Sequence, residues 1–179
     1  MRELLIVGRG GQGAQTAGIQ LAQAFYSGGK YIQTFATYGG ARRGTPVFSS
    51  LRVDDEPIRL RCDIECADAL LIFDETLLDA MILKRADSKT QIVVNSAKPA
   101  SAFADLGDYN ITTIDGRVIA RENGMGKVVN SALLGAFIAA LETLDLDTLC
   151  QVIEDTAPVK HQENVAACRQ AHQQLSKAA

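Results

Sequence analysis

The chain has 179 residues, 47% of them hydrophobic and 22% charged, which is the composition of an ordinary α/β domain with its own core and excludes disorder, collagen and coiled coil. No stretch approaches the roughly 18–20 uninterrupted apolar residues of a membrane span. The net charge of −3 divides into +4 over residues 1–61 and −7 over 62–179, and the interval between Glu3 and Asp54 holds Arg9, Lys30, Arg42, Arg43 and Arg52 but no acid, a distribution that favours an anionic ligand.

Leu4-Leu5-Ile6-Val7 is a continuous apolar run ending in glycine, the mark of a strand buried on both faces. Past Gly8-Arg9-Gly10-Gly11-Gln12-Gly13, the positions Ala14, Ala17, Leu21, Ala24 and Phe25 recur every three to four residues, so a helix is predicted over 13–26, stopping at Gly28-Gly29. Residues 31–37 read as the next strand and lead into the irregular stretch Tyr38-Gly39-Gly40-Ala41-Arg42-Arg43-Gly44-Thr45-Pro46. Strand character resumes over 47–53. Asp54-Asp55-Glu56-Pro57 is a polar turn and Ile58-Arg59-Leu60 alternates as a returning strand would, so a hairpin is expected and the sheet is mixed. Residues 69–73 and 91–95 are buried strands separated by a helix over 75–85 that Asp74 caps, and 110–114 is the last strand. The helix over 128–141 is apolar almost all round and is therefore buried, in the core or against another chain. Two amphipathic helices follow, 147–156 and 160–177, parted by Pro158, the second rich in Gln and expected to be exposed. With no repeat, low-complexity tract or linker, residues 1–179 make one domain whose C-terminal helices begin at 147. The expected architecture is a three-layer α/β/α fold with a mostly parallel, mixed sheet, one hairpin and a Rossmann-like first strand–helix unit.

Gly8-x-Gly10-x-x-Gly13 follows a strand and opens a helix, the setting a dinucleotide-binding fingerprint requires. Glycines let the backbone approach a ligand, and N–H groups at a helix N-terminus suit a phosphate. NAD would also need an Asp or Glu about 20 positions on to accept from the ribose hydroxyls, and residues 34–40 offer none. A tight turn with close helix-to-strand packing is the other reading of these glycines. Arg42 and Arg43 are placed at the end of the second strand, on the same sheet edge as the glycine turn. Guanidinium planes match phosphate oxygens in bidentate geometry, so a pyrophosphate or phosphorylated ribose suits them better than a simple carboxylate. Gly124-Met125-Gly126-Lys127-Val128-Val129-Asn130 adds a lysine and an amide at the start of the apolar helix and does not form a P-loop.

GxSxG, HExxH and a carboxylate ladder for magnesium are all absent, and His161 and His172 fall in the last helices, so catalysis by this chain alone is not expected. Without Trp and with 6% aromatics, a base-stacking surface for nucleic acid is poor. Cys62, Cys66, Cys150 and Cys168 form no CxxC pair and lack metal-site spacing, so they read as reduced thiols without a metal. Met1-Arg2-Glu3 runs straight into a strand with no signal-peptide pattern, and a cytoplasmic location is expected.

Taken together, several segments resemble the gamma subunit of the 2-oxoacid:ferredoxin oxidoreductases over residues 1–145. They are Gly8-Arg9-Gly10-Gly11-Gln12-Gly13 after a buried strand, Thr37-Tyr38-Gly39-Gly40-Ala41-Arg42-Arg43-Gly44-Thr45-Pro46-Val47, Asp55-Glu56-Pro57-Ile58, Ala67-Asp68-Ala69-Leu70-Leu71-Ile72-Phe73-Asp74, and Gly126-Lys127-Val128-Val129-Asn130. The Arg42-Arg43-Gly44-Thr45-Pro46 segment is more similar to the pyruvate and branched-chain oxoacid branch than to the 2-oxoglutarate branch. Gly39-Gly40-Ala41 departs from the Gly-Val-Glu that the family usually carries, which leaves the oxoacid open, aromatic ones included.

The resemblance implies oxidative decarboxylation of a 2-oxoacid to acyl-CoA, with electrons passing to ferredoxin or a similar acceptor. It places thiamine diphosphate and 4Fe–4S clusters on alpha, beta and ferredoxin-like delta-type partner subunits. The gamma chain would hold neither, supply no catalytic residue, pack against the thiamine-binding subunits and help form the coenzyme A site. On that footing Arg9, Gly10, Gly11, Gln12, Gly13, Arg42, Arg43 and Thr45 hold coenzyme A, with Asn130 supporting by hydrogen bond. A purely structural subunit and a free-standing nucleotide-binding protein are the alternatives, since a fold alone does not decide function.

Overall fold

The apolar run near the N-terminus forms the middle of the sheet. In the computed structural model, which describes residues 1–38 and 45–177, Arg2–Arg9 is strand β1 and its Leu4, Leu5, Ile6 and Val7 are wholly buried. The other strands are Tyr31–Tyr38 (β2), Pro46–Asp54 (β3), Ala69–Ile72 (β4), Gln91–Asn95 (β5) and Asn110–Ile114 (β6). They form a six-stranded sheet in the order β2-β3-β1-β4-β5-β6. β1, β4, β5 and β6 run parallel, while β3 lies antiparallel between β1 and β2. The first strand–helix unit thus departs from a plain Rossmann crossover, because β3 separates β1 from β2.

Helices cover both faces. Ala14–Ser27 (α1), Gly116–Glu122 (α3), Asn130–Leu141 (α4), Leu146–Thr156 (α5) and His161–Ser176 (α6) pack against Leu4, Ile6, Leu51, Leu71 and Val93. The opposite face, with Leu5, Val7, Leu70, Ile92 and Val94, is covered by Ile64, Leu77, Ile82, Leu83 and Phe103, drawn from shorter pieces that include Ala80–Leu83 (α2) and the 3-10 segments Glu75–Leu77 and Ala100–Leu106. The three-layer α/β/α arrangement with a mixed sheet is the one expected.

The returning strand of the expected hairpin is not formed: residues 58–60 have no strand structure. Both edges of β3 are already taken by β1 and β2, and Pro57 has no N–H to donate to a ladder. The antiparallel pairing instead joins β2 to β3, from Tyr31↔Asp54 to Tyr38↔Val47. The single helix expected over 75–85 is also broken. Asp79 adopts an extended conformation and its carboxylate accepts from Met81 N (2.9 Å) and Ile82 N (3.0 Å), starting a new turn instead of continuing the old one. Asp115 does the same for α3, accepting from Arg117 N (3.1 Å) and Val118 N (3.0 Å).

The all-round apolar helix is core. In α4, residues 131–138 and Leu141 are buried because the sheet lies on one side and α6 on the other. A Cβ on Gly135 would lie 2.0 Å from the carbonyl oxygen of Cys168, so glycine lets the two helices meet at backbone distance. Ser131 Oγ donates to Asn164 Oδ1 at 2.6 Å across the same seam. One face of α6 is therefore buried, through Asn164, Ala167, Cys168, Ala171 and Leu175, where the sequence suggested an exposed helix. Cys150 of α5 is buried against this region too, whereas Cys62 and Cys66 are exposed. Burial and the hydrogen bond with Cys150, the larger of the two effects, push the Cys168 thiol well above its ordinary range.

Candidate functional site

β1, β4 and β5 run parallel and end on one sheet edge, and the segments leaving them surround a cleft of about 1130 Å³, large enough for a cofactor-sized ligand. Its walls come from the glycine turn and first turns of α1, residues 74–76 after β4, residues 95–98 after β5, α3, and the segment entering α4. Such a crevice beyond the carboxyl ends of parallel strands is where open α/β sheets bind ligands.

The glycine turn is tightly built. Gly11 and Gly13 have φ of 93° and 87°, in the left-handed region that glycine tolerates. A Cβ on Gly13 would meet Asn130 Nδ2 at 2.2 Å, and one on Gly8 would meet Ala14 Cβ at 2.9 Å. Gly10 N donates to Thr45 O (2.9 Å) and Gln12 N to Arg9 O (2.9 Å), while Gln12 Oε1 accepts from Arg9 N at 2.7 Å. Asn130 Nδ2 donates to Gly13 O at 2.9 Å, clipping the start of α4 to the start of α1. Gly13, as the residue before α1, offers no side-chain cap, and the first turn holds no acid. The positive end of the helix dipole, with the first N–H groups, therefore faces the cleft with no acid in its own first turn.

The three carboxylates lining the cleft are all engaged. Asp74 accepts from Arg9 Nε (3.3 Å), Gln12 Nε2 (3.2 Å), Thr76 N (3.1 Å) and Thr76 Oγ1 (2.7 Å), and Arg9 Nη2 reaches Thr76 Oγ1 at 2.7 Å. Burial works against ionising Asp74, but the Thr76 hydroxyl and N–H, the Gln12 amide and the Arg9 charge prevail and hold the carboxyl below its usual range. Glu75 is held low by its hydrogen bond with Lys98, 2.7 Å away, and by the Ser96 hydroxyl. Asp115 caps α3. In contrast Arg117, Arg121 and Lys127 line the cleft and enter no ion pair among the described residues.

Of the residues singled out from sequence, Gly11, Gln12, Gly13 and Asn130 are brought together in the cleft wall. Gly10 and Thr45 meet through their backbones, and Arg9 braces the turn against Asp74. Arg42 and Arg43 lie outside the described residues. The other cations of the acid-free interval serve the fold. Lys30 pairs with Asp55, and Arg52, 1% exposed, donates to Glu3 Oε1 (2.7 Å), Gln33 Oε1 (2.9 Å) and Cys62 Sγ (3.7 Å). Sequence reasoning missed Arg117 and Arg121, whose only local signal is a spacing of four behind the Asp115 cap, and Asp74 as the anchor of the turn. Among the described residues no cluster of three or more His, Cys, Asp or Glu could hold a metal, and no helix is long and apolar enough to cross a membrane.

The chain matches the family described as pyruvate ferredoxin/flavodoxin oxidoreductase over residues 3–174. Pyruvate synthase subunit PorC of Methanothermobacter thermautotrophicus is 36% identical over 179 residues, covering 99% of this chain and 97% of that protein. The pyruvate/ketoisovalerate oxidoreductases common subunit gamma of Pyrococcus furiosus is 32% identical over 178 residues, 97% of this chain and 96% of that one. Among solved structures, pyruvate oxidoreductase subunit PORC from Thermotoga maritima superposes with a TM-score of 0.84 at 29% identity, covering 96% of this chain and 95% of its own. The 2-oxoglutarate:ferredoxin oxidoreductase from Magnetococcus marinus, solved with 2-oxoglutarate, coenzyme A and succinyl-CoA bound, shares the fold (TM-score 0.78, 22% identity), with all of this chain matching 32% of that one. With the match spanning nearly its whole length, the chain belongs to the pyruvate ferredoxin/flavodoxin oxidoreductase family.

Proposed function

We propose that this chain is the gamma subunit of a coenzyme A-acylating 2-oxoacid:ferredoxin oxidoreductase, and that its cleft contributes the phosphate-binding part of the coenzyme A site. The observation that carries the reading is the uncapped N-terminus of α1, with no acid in its first turn, opening on a cleft with three cations that make no ion pair among the described residues. A polyanion satisfies both features. Gly11, Gln12 and Gly13 present the backbone, Asn130 and the Arg9–Asp74 pair hold the turn in shape, and Arg42 and Arg43, which follow β2 in sequence, are assigned to the same ligand. β2 and β1 both pair with β3, Tyr38 and Gly8 facing the same Val47, so the chain leaves β2 about 10 Å from the glycine turn. Alpha, beta and ferredoxin-like delta-type subunits complete the complex in the cytoplasm. When bound on those partners, thiamine diphosphate supplies the nucleophile for the oxoacid carbonyl and 4Fe–4S clusters take up the electrons. The residues of this chain bind and orient the acyl acceptor.

The test is the apparent KM for coenzyme A in the assembled complex. Thr16→Glu places a carboxylate in the first turn of α1, where it favours the helix by about 0.3–1 kcal/mol yet opposes an incoming phosphate. Arg42→Ala with Arg43→Ala removes the second set of donors, and loss of one charge-assisted pair costs about 1.5–3 kcal/mol, roughly tenfold or more in affinity. Both variants are expected to raise KM. An unchanged KM in both would refute the assignment and favour the plainer reading, supported by the close packing at Gly8 and Gly13, that the turn only seats α1.

A further inference from the structure

The cleft contains two separate centres of positive potential. One is the N-terminus of α1. The other is α3, where Arg117 and Arg121 stand four residues apart, on one face of the helix and in the cleft wall. Like charges at that spacing repel in the unliganded chain, and although Glu75 feels the Arg117 charge, neither guanidinium makes an ion pair among the described residues. Asp115, the acid nearest in sequence, turns its Oδ1 to the N–H groups of Arg117 and Val118, and Glu75 is already held by Lys98 and Ser96. Lys127, between the left-handed Gly126 and the start of α4, adds a third cation that makes no ion pair among the described residues.

Resting on the coenzyme A reading above, we infer that Arg117 and Arg121, assisted by Lys127, form a subsite for the 3′-phosphate of coenzyme A, while the glycine turn takes the pyrophosphate. The two anionic groups of that ligand differ in what they need. Each phosphate of the pyrophosphate diester carries a single charge and suits backbone N–H groups at a helix end. A terminal phosphomonoester carries between 1.5 and 2 negative charges, roughly, at neutral pH and has three free oxygens. Two guanidiniums four residues apart on one helix face can answer that with paired N–H···O contacts, a geometry that lysine or backbone amides do not reproduce. The subsite therefore sets specificity for a phosphorylated ribose, and α3 is its positioning element.

The experiment compares coenzyme A with dephospho-coenzyme A, which lacks only the 3′-phosphate, as acyl acceptors for the assembled complex. The native complex is expected to favour coenzyme A in kcat/KM by about tenfold or more, the yield of one or two charge-assisted contacts. In Arg117→Gln with Arg121→Gln the ratio falls towards one, and Arg117→Lys with Arg121→Lys restores only part of it. Thr16→Glu lowers kcat/KM for both acceptors and keeps their ratio. If the glutamine variant retains the native preference, or lowers both acceptors equally, or if the native complex shows no preference, the subsite is overturned. The coenzyme A reading itself survives in those cases as long as Thr16→Glu raises KM for both. If neither variant moves either acceptor and Arg42→Ala with Arg43→Ala also leaves KM unchanged, that reading fails and the subsite with it.

Discussion

The contact between Gly13 and Asn130 gives a sharp quantitative expectation. Replacing Gly13 by Ala forces a left-handed backbone on a residue with a Cβ, at about 1–2 kcal/mol, and sets that Cβ 2.2 Å from Asn130 Nδ2 and 2.8 Å from its Oδ1. The amide must swing away, losing its 2.9 Å bond to Gly13 O, worth about 1 kcal/mol, and leaving its rotamer at about 0.5–1.5 kcal/mol. Gly13→Ala should thus destabilise by about 3–4 kcal/mol, and Asn130→Ala by about 1. With both changes the steric conflict is gone, leaving backbone strain and one lost hydrogen bond, about 2–3 kcal/mol. The double variant is then more stable than Gly13→Ala alone, with a coupling of about 2 kcal/mol. Urea unfolding of the four purified chains measures it. Additive penalties would refute the claim that Asn130 and the turn are fitted to each other.

Two further expectations concern the same framework. Because the Asp74 carboxyl is held below its ordinary value of 3.8, its stabilising effect is complete above that pH and is lost as pH falls through the lower native value. Asp74→Asn should therefore be less stable at neutral pH and show a shallower loss of urea midpoint below pH 3.8 than the native chain, and an unchanged acid limb would contradict the anchoring role. Gly135→Ala gains about 1 kcal/mol of helix propensity but drives a Cβ into the backbone carbonyl of Cys168 at 2.0 Å. Overpacking against a backbone that cannot rotate aside should dominate, lowering the melting temperature by several degrees, and a raised melting temperature would show that α4 and α6 can separate freely.

Periodicity reported the fold well where burial alone decides the element. β5 and β6 have the residues expected, and α1 stops at the predicted glycines, because a run covered on two faces or a three-to-four spacing leaves a plain mark. It failed where short polar side chains compete. Asp74 and Asp79 each start their own turn, which apolar spacing over 75–85 conceals, and the alternation of Ile58-Arg59-Leu60 carried no information about whether β3 had an edge to offer. The glycine turn was legible because its chemistry is local, whereas Asn130, which meets Gly13 across 117 positions, was given its role only through the resemblance. The cations were not legible. Arg9 meets Asp74 across 65 positions and Arg52 meets Glu3 across 49, so only the tertiary fold could tell which charges belong to the scaffold and which, like Arg117 and Arg121, line the cleft.

The four thiols are graded by depth in a way that has a practical use. Cys62 and Cys66 are open to solvent, while Cys150 and Cys168 lie at 3% and 0% exposure where α5 meets α6. Cys62 also lies beside Arg52, which bonds Glu3 at the start of β1, roughly 20 Å along that strand from the glycine turn. A maleimide dye would consequently mark two positions on the folded chain and four on a chain whose last helices have opened, and the attached fluorophores would sit at the far end of the sheet from the cleft. The protein carries its own gauge of C-terminal opening, readable by mass, with the labels of the folded chain set away from the cleft.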